Sequence, residues 1–137
     1  MVTQYKNLIN GEMVGTSEVL DVINPANEEV IGQVPACGEA ELNNAVSAAR
    51  AAFKTWSKTP IDERRKVVQA IAGVINENND ELFRLLTAEQ GKPHAQAQGE
   101  IAGAAYMAGS QATLDMDDEI NEDTEQRLSR TRRVPVG

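Results

Sequence analysis

The single cysteine and the single histidine are the side chains of this sequence best suited to covalent or acid–base catalysis. Cys37 lies at a predicted turn just before a predicted helix, where the positive end of the helix dipole would favour a reactive thiolate. His94 is far from it in sequence, no nearer residue is an obvious general base, and no second histidine or cysteine accompanies His94 for a transition metal. A lone cysteine usually packs as a small hydrophobic side chain, so Cys37 is predicted to be structural. These residues therefore predict no catalytic site.

The glycine-containing segments do not form a nucleotide-binding motif. Gly91-Lys92 resembles the end of a phosphate-binding loop, but that pattern requires glycine where Leu86 stands and serine or threonine where Pro93 stands. Three further glycines fall inside a predicted helix: Gly99, Gly103 and Gly109. Their spacing does not match the dinucleotide fingerprint, so no cofactor-binding residue is predicted.

The acidic charge of the chain is concentrated in one segment. The formal net charge is -8, and seven of the 21 acidic residues lie between Asp115 and Glu125 with no basic residue among them. Outside that window, 13 basic residues stand against 14 acidic ones. A phosphate-backbone interface needs a larger basic cluster, so no nucleic-acid partner is expected.

Cysteine content and hydropathy indicate the compartment. One cysteine cannot form an internal disulfide, which is typical of a reducing environment. The amino terminus, MVTQYKNLING, lacks the apolar core of a signal peptide, and no run of about twenty apolar residues occurs. A cytoplasmic protein with no membrane partner is therefore expected.

Helical periodicity dominates the middle of the chain, from Glu39 to Trp56 and again from about residue 59 to 90. Thr59 is the predicted N-cap of the second run, and the asparagine-rich positions 76–79 should interrupt it. Gly91 is the predicted left-handed cap that ends it. Two apolar groups are predicted to face inward: Val67, Val68, Ile71, Val74 and Ile75, then Leu82, Leu85 and Leu86.

Short strands are predicted on both sides of these helices. Asn10-Gly11 predicts a tight hairpin turn, and Val19–Ile23 should pair with residues 29–35. The acidic window is predicted as a turn, followed by a strand in Gln126–Val134. A further helix, from about Ala95 to Leu114, is rich in alanine and glycine. Close helix packing explains such small side chains most simply, and the wall of a ligand channel is the alternative.

Six segments resemble, in order and spacing, the amino-terminal part of the aldehyde dehydrogenase superfamily. They are YKNLINGEMV, VINPANEEVIGQVP, FKTWSKTPIDERRKVV, LLTAEQGKP, GEIAGAAYMA and RRVPVG. The resemblance implies a Rossmann-like α/β fold for the family, in which this chain is mainly α-helical with an N-terminal β-ribbon and a C-terminal arm strand. It also implies that residues 1–114 belong to a partial nucleotide-binding domain, and that residues 115–137 supply an acidic turn and the oligomerisation-arm strand, matched from Ile120 to Val134.

The resemblance further implies an enzyme that oxidises an aldehyde to a carboxylic acid with NAD or NADP and forms a homo-oligomer through the arm strand. The family's catalytic cysteine, general-base glutamate and nucleotide-binding motifs match positions beyond Gly137, so residues 1–137 alone are expected to be inactive. Glu89, with backbone carbonyls near Val22 and Ile23, matches a monovalent-cation site. Met107 and Ser110 match the helix that borders the substrate tunnel.

Two other interpretations stay open on the sequence. The chain would then be a free-standing assembly or binding module that pairs with a full-length subunit, or an inactive truncated remnant. In the isolated chain, the apolar stripes of Leu42–Trp56 and Val67–Ile75 are expected to be left uncovered, which favours association.

Overall fold

The structure is a computed structural model that describes residues 2–136. These residues form four helices and three two-stranded antiparallel sheets. In chain order the elements are β1 (Asn7–Ile9), β2 (Glu12–Val14), β3 (Val19–Ile23), β4 (Val30–Pro35), α1 (Glu39–Trp56), α2 (Ile61–Glu77), α3 (Asn79–Gln90), α4 (His94–Gln111), β5 (Glu119–Asp123) and β6 (Leu128–Thr131). The predicted α-rich chain with an amino-terminal ribbon is confirmed.

The first two strand pairs follow the predicted turn chemistry. Asn10 and Gly11 both have positive φ, 53° and 81°, which is the backbone twist that a two-residue hairpin loop requires. In the second hairpin, β3 pairs with β4 and the register shifts by one residue beside Val22 and Ile23. Residues 3–5 run along β4 in parallel, because the Tyr5 N–H donates to the Gln33 carbonyl at 2.8 Å and the Gln33 N–H donates to the Thr3 carbonyl at 2.9 Å.

Helices α2 and α3 both pack against α4. The buried apolar side chains of the described chain are three alanines and one aromatic ring: Ala72, Ala97, Ala105 and Phe83. Asn78 separates α2 from α3, and its side-chain amide donates to the Val74 carbonyl at 2.8 Å. The Asn78 backbone N–H donates to the same carbonyl at 3.1 Å, so the side chain competes with the helical bond there. The predicted interruption is confirmed, because α2 ends at Glu77 and α3 begins at Asn79.

The predicted inward faces need correction. Val67, Ile71 and Val74 are 47%, 50% and 57% exposed, because α2 turns Ala72 rather than these residues toward α4. On α3, Leu82 and Leu86 are half-buried and Leu85 is exposed, while Phe83 is the buried side chain. The expected uncovered stripes are thus present on α2, and also on α1, where Leu42, Val46 and Trp56 are exposed.

The N-cap of α2 differs from the predicted one. The second helix begins at Ile61 with Pro60 as its N-cap, and the Thr59 hydroxyl donates back to the Thr55 carbonyl, so Thr59 is not the cap. The side-chain cap lies instead on α1, where the Gly38 N–H donates to Glu41 Oε2 at 2.9 Å. This bond lowers the pKa of Glu41 from its ordinary 4.5. A carboxyl whose folded-state pKa is depressed contributes stability above that ordinary value and loses it as the pH falls through the folded value.

The acidic window is not a simple turn. Residues 119–123 form β5, which pairs with β6. In the loop between them, the Thr124 N–H donates to the Arg127 carbonyl at 2.8 Å, and the Arg127 N–H donates to the Thr124 carbonyl at 3.3 Å. Cross-strand ion pairs compensate part of the acidic charge, since Asp118 contacts Arg130 at 3.1 Å and Arg132 at 3.2 Å. We refer to this hairpin, residues 119–131, as the arm hairpin.

Candidate functional site

A small cleft lies where the second hairpin meets the end of α3. Its volume is about 210 Å³, and its walls are formed by Tyr5, Val22, Ile31, Gly32, Val34, Leu85 and Glu89. Glu89 is the only charged side chain in that lining, and the other walls are largely apolar. The cleft therefore combines one carboxylate with hairpin backbone.

The extended segment of residues 3–5, which runs along β4, forms one wall of this cleft through Tyr5. A Cβ atom built on Gly32 would lie 2.8 Å from Cε2 of Tyr5, which is closer than a real contact allows. Glycine at position 32 therefore leaves the space that the Tyr5 ring occupies beside β4. The sequence did not predict Tyr5 and Gly32 as part of a site, and the single glycine inside the strand VIGQVP was the available signal.

The end of α3 sets the position of Glu89. Gly91 has a φ of 70°, and its N–H donates to the Thr87 carbonyl at 2.8 Å, which is the predicted left-handed cap. A Cβ at this position would lie 3.0 Å from Cγ of Pro25, in the turn of the β3–β4 hairpin. Close contact between the helix end and this turn holds Glu89 beside Val22.

The predicted cation ligands are only partly brought together. Val22 and Glu89 both line the cleft, whereas the exposed Ile23 does not. Within residues 2–136, no group of three or more His, Cys, Asp or Glu side chains could hold a metal ion. Any cation here would therefore depend on carbonyl oxygens together with Glu89, and such oxygens suit hard ions.

The predicted tunnel residues point into different surroundings. Ser110 lines an open cleft of about 530 Å³ between α2 and α4, together with Ala72, Ala105 and Gly109. Met107 is 58% exposed and is not part of that lining. The Ser110 hydroxyl donates to the Met107 carbonyl at 2.9 Å, a bond local to the helix.

Close packing accounts for some of the small residues of α4. Ala97 and Ala105 are buried, and a Cβ on Gly109 would meet Ala72 Cβ at an ordinary 3.7 Å. Gly99 and Gly103 face open space instead, so packing within the described chain does not explain them.

Cys37 and His94 are both exposed, so Cys37 does not pack as a buried hydrophobic side chain as predicted. The exposed Cys37 accepts a hydrogen bond from the side-chain amide of Asn7, which has no basic nitrogen to take its proton. The His94 ring packs edge-to-face on Phe83, with centroids 5.5 Å apart. The Glu41 carboxylate lines the same cleft as Cys37, where it accepts the hydrogen bond from the Gly38 N–H, and the lining within residues 2–136 contains no histidine or lysine.

A comparison with models of protein families identifies the family to which the chain belongs. A family model described as "Aldehyde dehydrogenase family" matches residues 13–137. The chain belongs to the aldehyde dehydrogenase family.

Curated aldehyde dehydrogenases resemble the chain over most of its length. A probable aldehyde dehydrogenase from Pseudomonas sp is 42% identical over 94% of this chain and 26% of its own length. A malonate-semialdehyde dehydrogenase from Bacillus velezensis is 34% identical over 99% of this chain and 29% of its own length. The chain thus spans about a quarter to a third of the length of these relatives.

Solved structures show the same fold. An indole-3-acetaldehyde dehydrogenase without ligand superimposes over 100% of this chain and 33% of its own chain, with a TM-score of 0.88 and 28% identity. An NAD-dependent aldehyde dehydrogenase from Sinorhizobium meliloti covers 93% of this chain and 27% of its own, with a TM-score of 0.83 and 29% identity. The predicted aldehyde dehydrogenase fold is therefore confirmed, with this chain as a mainly helical part of an α/β architecture.

None of the four helices within residues 2–136 has the length and apolarity that crossing a membrane requires. The cation and tunnel assignments for this member of the family stay predictions, because the cleft at the end of α3 includes only Val22 and Glu89, and the cleft between α2 and α4 includes Ser110 and not Met107.

Proposed function

We propose that this chain contributes the ribbon, helices and arm hairpin of a subunit that oxidises an aldehyde to a carboxylic acid with NAD or NADP. The observation that carries this proposal is the 42% identity to a probable aldehyde dehydrogenase over 94% of the chain. Relatives named as malonate-semialdehyde and indole-3-acetaldehyde dehydrogenases suggest small aldehydes as substrates to try first. The single cysteine supports a cytoplasmic localisation, because proteins of reducing compartments rarely contain disulfides.

Residues 1–137 by themselves are proposed to be inactive. Oxidation of an aldehyde through a covalent intermediate needs an activated nucleophile and a base within hydrogen-bond reach. Cys37 accepts a hydrogen bond from the Asn7 amide, and the Glu41 carboxylate in the same cleft is bound to the Gly38 N–H. The His94 ring packs on Phe83. Residues 1–137 therefore support and position the active site, and the remainder of the subunit supplies the reacting groups.

The test compares residues 1–137 with the full-length polypeptide that the natural source produces. Each is incubated with malonate semialdehyde, indole-3-acetaldehyde or betaine aldehyde and with NAD or NADP, and formation of the reduced nicotinamide is followed by absorbance. We expect turnover only with the full-length polypeptide. Turnover by residues 1–137 would refute the supporting role, and a full-length polypeptide inactive on all three aldehydes would refute the enzyme proposal.

We further propose that Glu89 and hairpin carbonyls near Val22 and Ile23 hold a monovalent cation. A ligand that binds only the folded protein raises its melting temperature, so potassium or sodium chloride should stabilise the protein more than choline chloride does. Glu89→Gln should abolish that difference, because the amide removes the charge. Glu81→Gln, an exposed change on the same helix, is the control and should keep it. An unchanged salt difference in Glu89→Gln would refute the site.

The arm hairpin is proposed to join subunits of a homo-oligomer. Its support is that the hairpin contacts its own strands far more than any other element in residues 2–136, although two strands alone are only marginally stable in water. A hairpin of this kind needs a further strand or surface to be stable.

A further inference from the structure

A cleft between the start of α2 and the end of α4 is lined by two adjacent arginines. Its volume is about 300 Å³, and Arg64 and Arg65 are the charged side chains of its lining. Large apolar side chains form most of the other walls: Trp56, Ile61, Val68, Leu114 and Met116. Within residues 2–136 no carboxylate lines the cleft, so its charged walls are positive only.

Arg65 is compensated by groups of the described chain. Its Nη1 atom lies 3.1 Å from Asp62 Oδ1, and its Nη2 atom donates to the Leu114 carbonyl at 2.7 Å. These two bonds connect the first turn of α2 with the segment that follows α4. The Asp62 carboxylate therefore serves to balance Arg65.

Arg64 is not compensated in this way. Its side chain is half-buried, and its Nε atom is buried with no hydrogen-bond partner within residues 2–136. Of its guanidinium nitrogens only Nε is buried without a partner, so the two Nη atoms can be reached from the cleft. An arginine does not lose its charge by giving up a proton, and a charge removed from water without a partner is costly. The end of α4 supplies only about half a negative charge. An anion is therefore needed beside Arg64.

We infer that an Asp or Glu side chain from the polypeptide beyond residue 137 enters this cleft and pairs with Arg64. The inference rests on the proposed function, in which this chain is about a quarter to a third of an enzyme subunit. The two oxygens of a carboxylate match the two Nη atoms of a guanidinium, and such paired bonds are among the strongest hydrogen bonds in proteins. A backbone carbonyl would bring a single acceptor and no net charge.

The apolar rim of the cleft favours a protein segment over a free anion. Trp56, Leu114 and Met116 are 44%, 49% and 39% exposed in the described chain. A small hydrated anion would leave these side chains in water, whereas a polypeptide segment that carries the acid would cover them. The charge and the rim therefore fit the same occupant, an apolar segment with one carboxylate.

Carbodiimide cross-linking tests this pair in the full-length polypeptide carrying Arg64→Lys. The carbodiimide activates a carboxylate, the lysine amine attacks the activated carbon, and an amide forms as the carbodiimide leaves as a urea. Proteolysis and mass spectrometry then locate the amide. We expect the introduced lysine to be joined to one Asp or Glu beyond residue 137. The unmodified polypeptide is the control, because a guanidinium does not form this amide. An introduced lysine joined only to a carboxylate within residues 1–137, or to none, would overturn the inference.

The sign of a stability change gives an independent measurement. Arg64→Met keeps most of the side-chain length and leaves the acid unpaired, so it should lower the folding equilibrium constant of the full-length polypeptide at least about tenfold in urea unfolding. Lys66→Met is the matched control on the same helix, because the Lys66–Glu63 pair is exposed, and it should change the constant by about fivefold at most. Without an acid at Arg64, Arg64→Met would only remove an unpaired charge. Unchanged or increased stability of that variant would therefore refute the pair.

The outcomes separate this inference from the proposed function. A full-length polypeptide that oxidises aldehydes, but gives no cross-link and loses no stability in Arg64→Met, would refute the pair alone. A cross-link in a polypeptide that oxidises none of the aldehydes would refute the enzyme proposal alone. A natural polypeptide whose intact mass ends it at residue 137 would refute both.

Discussion

Replacing Phe83 with alanine is expected to lower the free energy of unfolding by about 3–5 kcal/mol, the usual cost of truncating a buried aromatic side chain. Phe83 is 7% exposed, and the other buried apolar side chains of the described chain are alanines. Its ring also packs against His94, with centroids 5.5 Å apart, and the Arg84 guanidinium lies 5.2 Å from the ring centroid. Both contacts disappear with the ring, and a cavity remains between α3 and α4.

The size of this effect matters because domains of this kind are only about 5–15 kcal/mol more stable than their unfolded chains. Urea unfolding followed by the fluorescence of Trp56 measures it. Tyr106→Ala removes an aromatic ring that is 75% exposed, and it should change the stability by no more than about 0.5 kcal/mol. Equal losses in the two variants would mean that Phe83 does not anchor the helices.

Local chemistry was the part of the fold that the sequence could predict. The Asn10-Gly11 turn, the break at Asn78 and the cap at Gly91 depend on side chains and backbone within a few residues of one another. Each was predicted correctly, because few residue types tolerate positive φ or compete with helical hydrogen bonds.

Contacts between distant segments account for the predictions that failed. The acidic window was predicted as a turn, but part of it forms β5, and Asp118 and Glu122 lie beside Arg130 of β6 and Arg127 of the loop, which reduces the repulsion among the acidic side chains. Phe83 was passed over for three leucines on the same helix, and its burial depends on where α4 crosses α3. Periodicity gives an apolar stripe and cannot say which side meets a neighbour.

The candidate site shows the same division. Resemblance to the family selected Val22, Ile23 and Glu89, and two of these three line one cleft. Tyr5 and Gly32 complete the cleft through a parallel pairing with Gln33 that spans about thirty residues of sequence. No local pattern encodes that pairing, so the wall of the cleft could be found only in the structure.

Gly91→Ala is expected to destabilise the protein by about 1–3 kcal/mol, the cost of holding a non-glycine residue in the left-handed region. The backbone at Gly91 has a φ of 70°, and the added methyl group would lie 3.0 Å from Cγ of Pro25. A proline ring cannot turn away as a flexible side chain can, so either the end of α3 or the β3–β4 turn must shift. Because Glu89 lies on the last turn of α3, that shift would also move its carboxylate away from Val22.

Two further variants separate the strain of the backbone from the contact with Pro25. Gly91→Asn keeps a residue that tolerates positive φ, so it should recover most of the loss if backbone strain dominates and little if the Pro25 contact dominates. Gly99→Ala, inside α4 with no atom within 4 Å of the added methyl group, should instead stabilise the protein by about 0.5–1 kcal/mol. Thermal unfolding of the three variants measures these differences. If Gly91→Ala were as stable as Gly99→Ala, the end of α3 would not be held against the β3–β4 turn, and nothing would then keep Glu89 beside Val22.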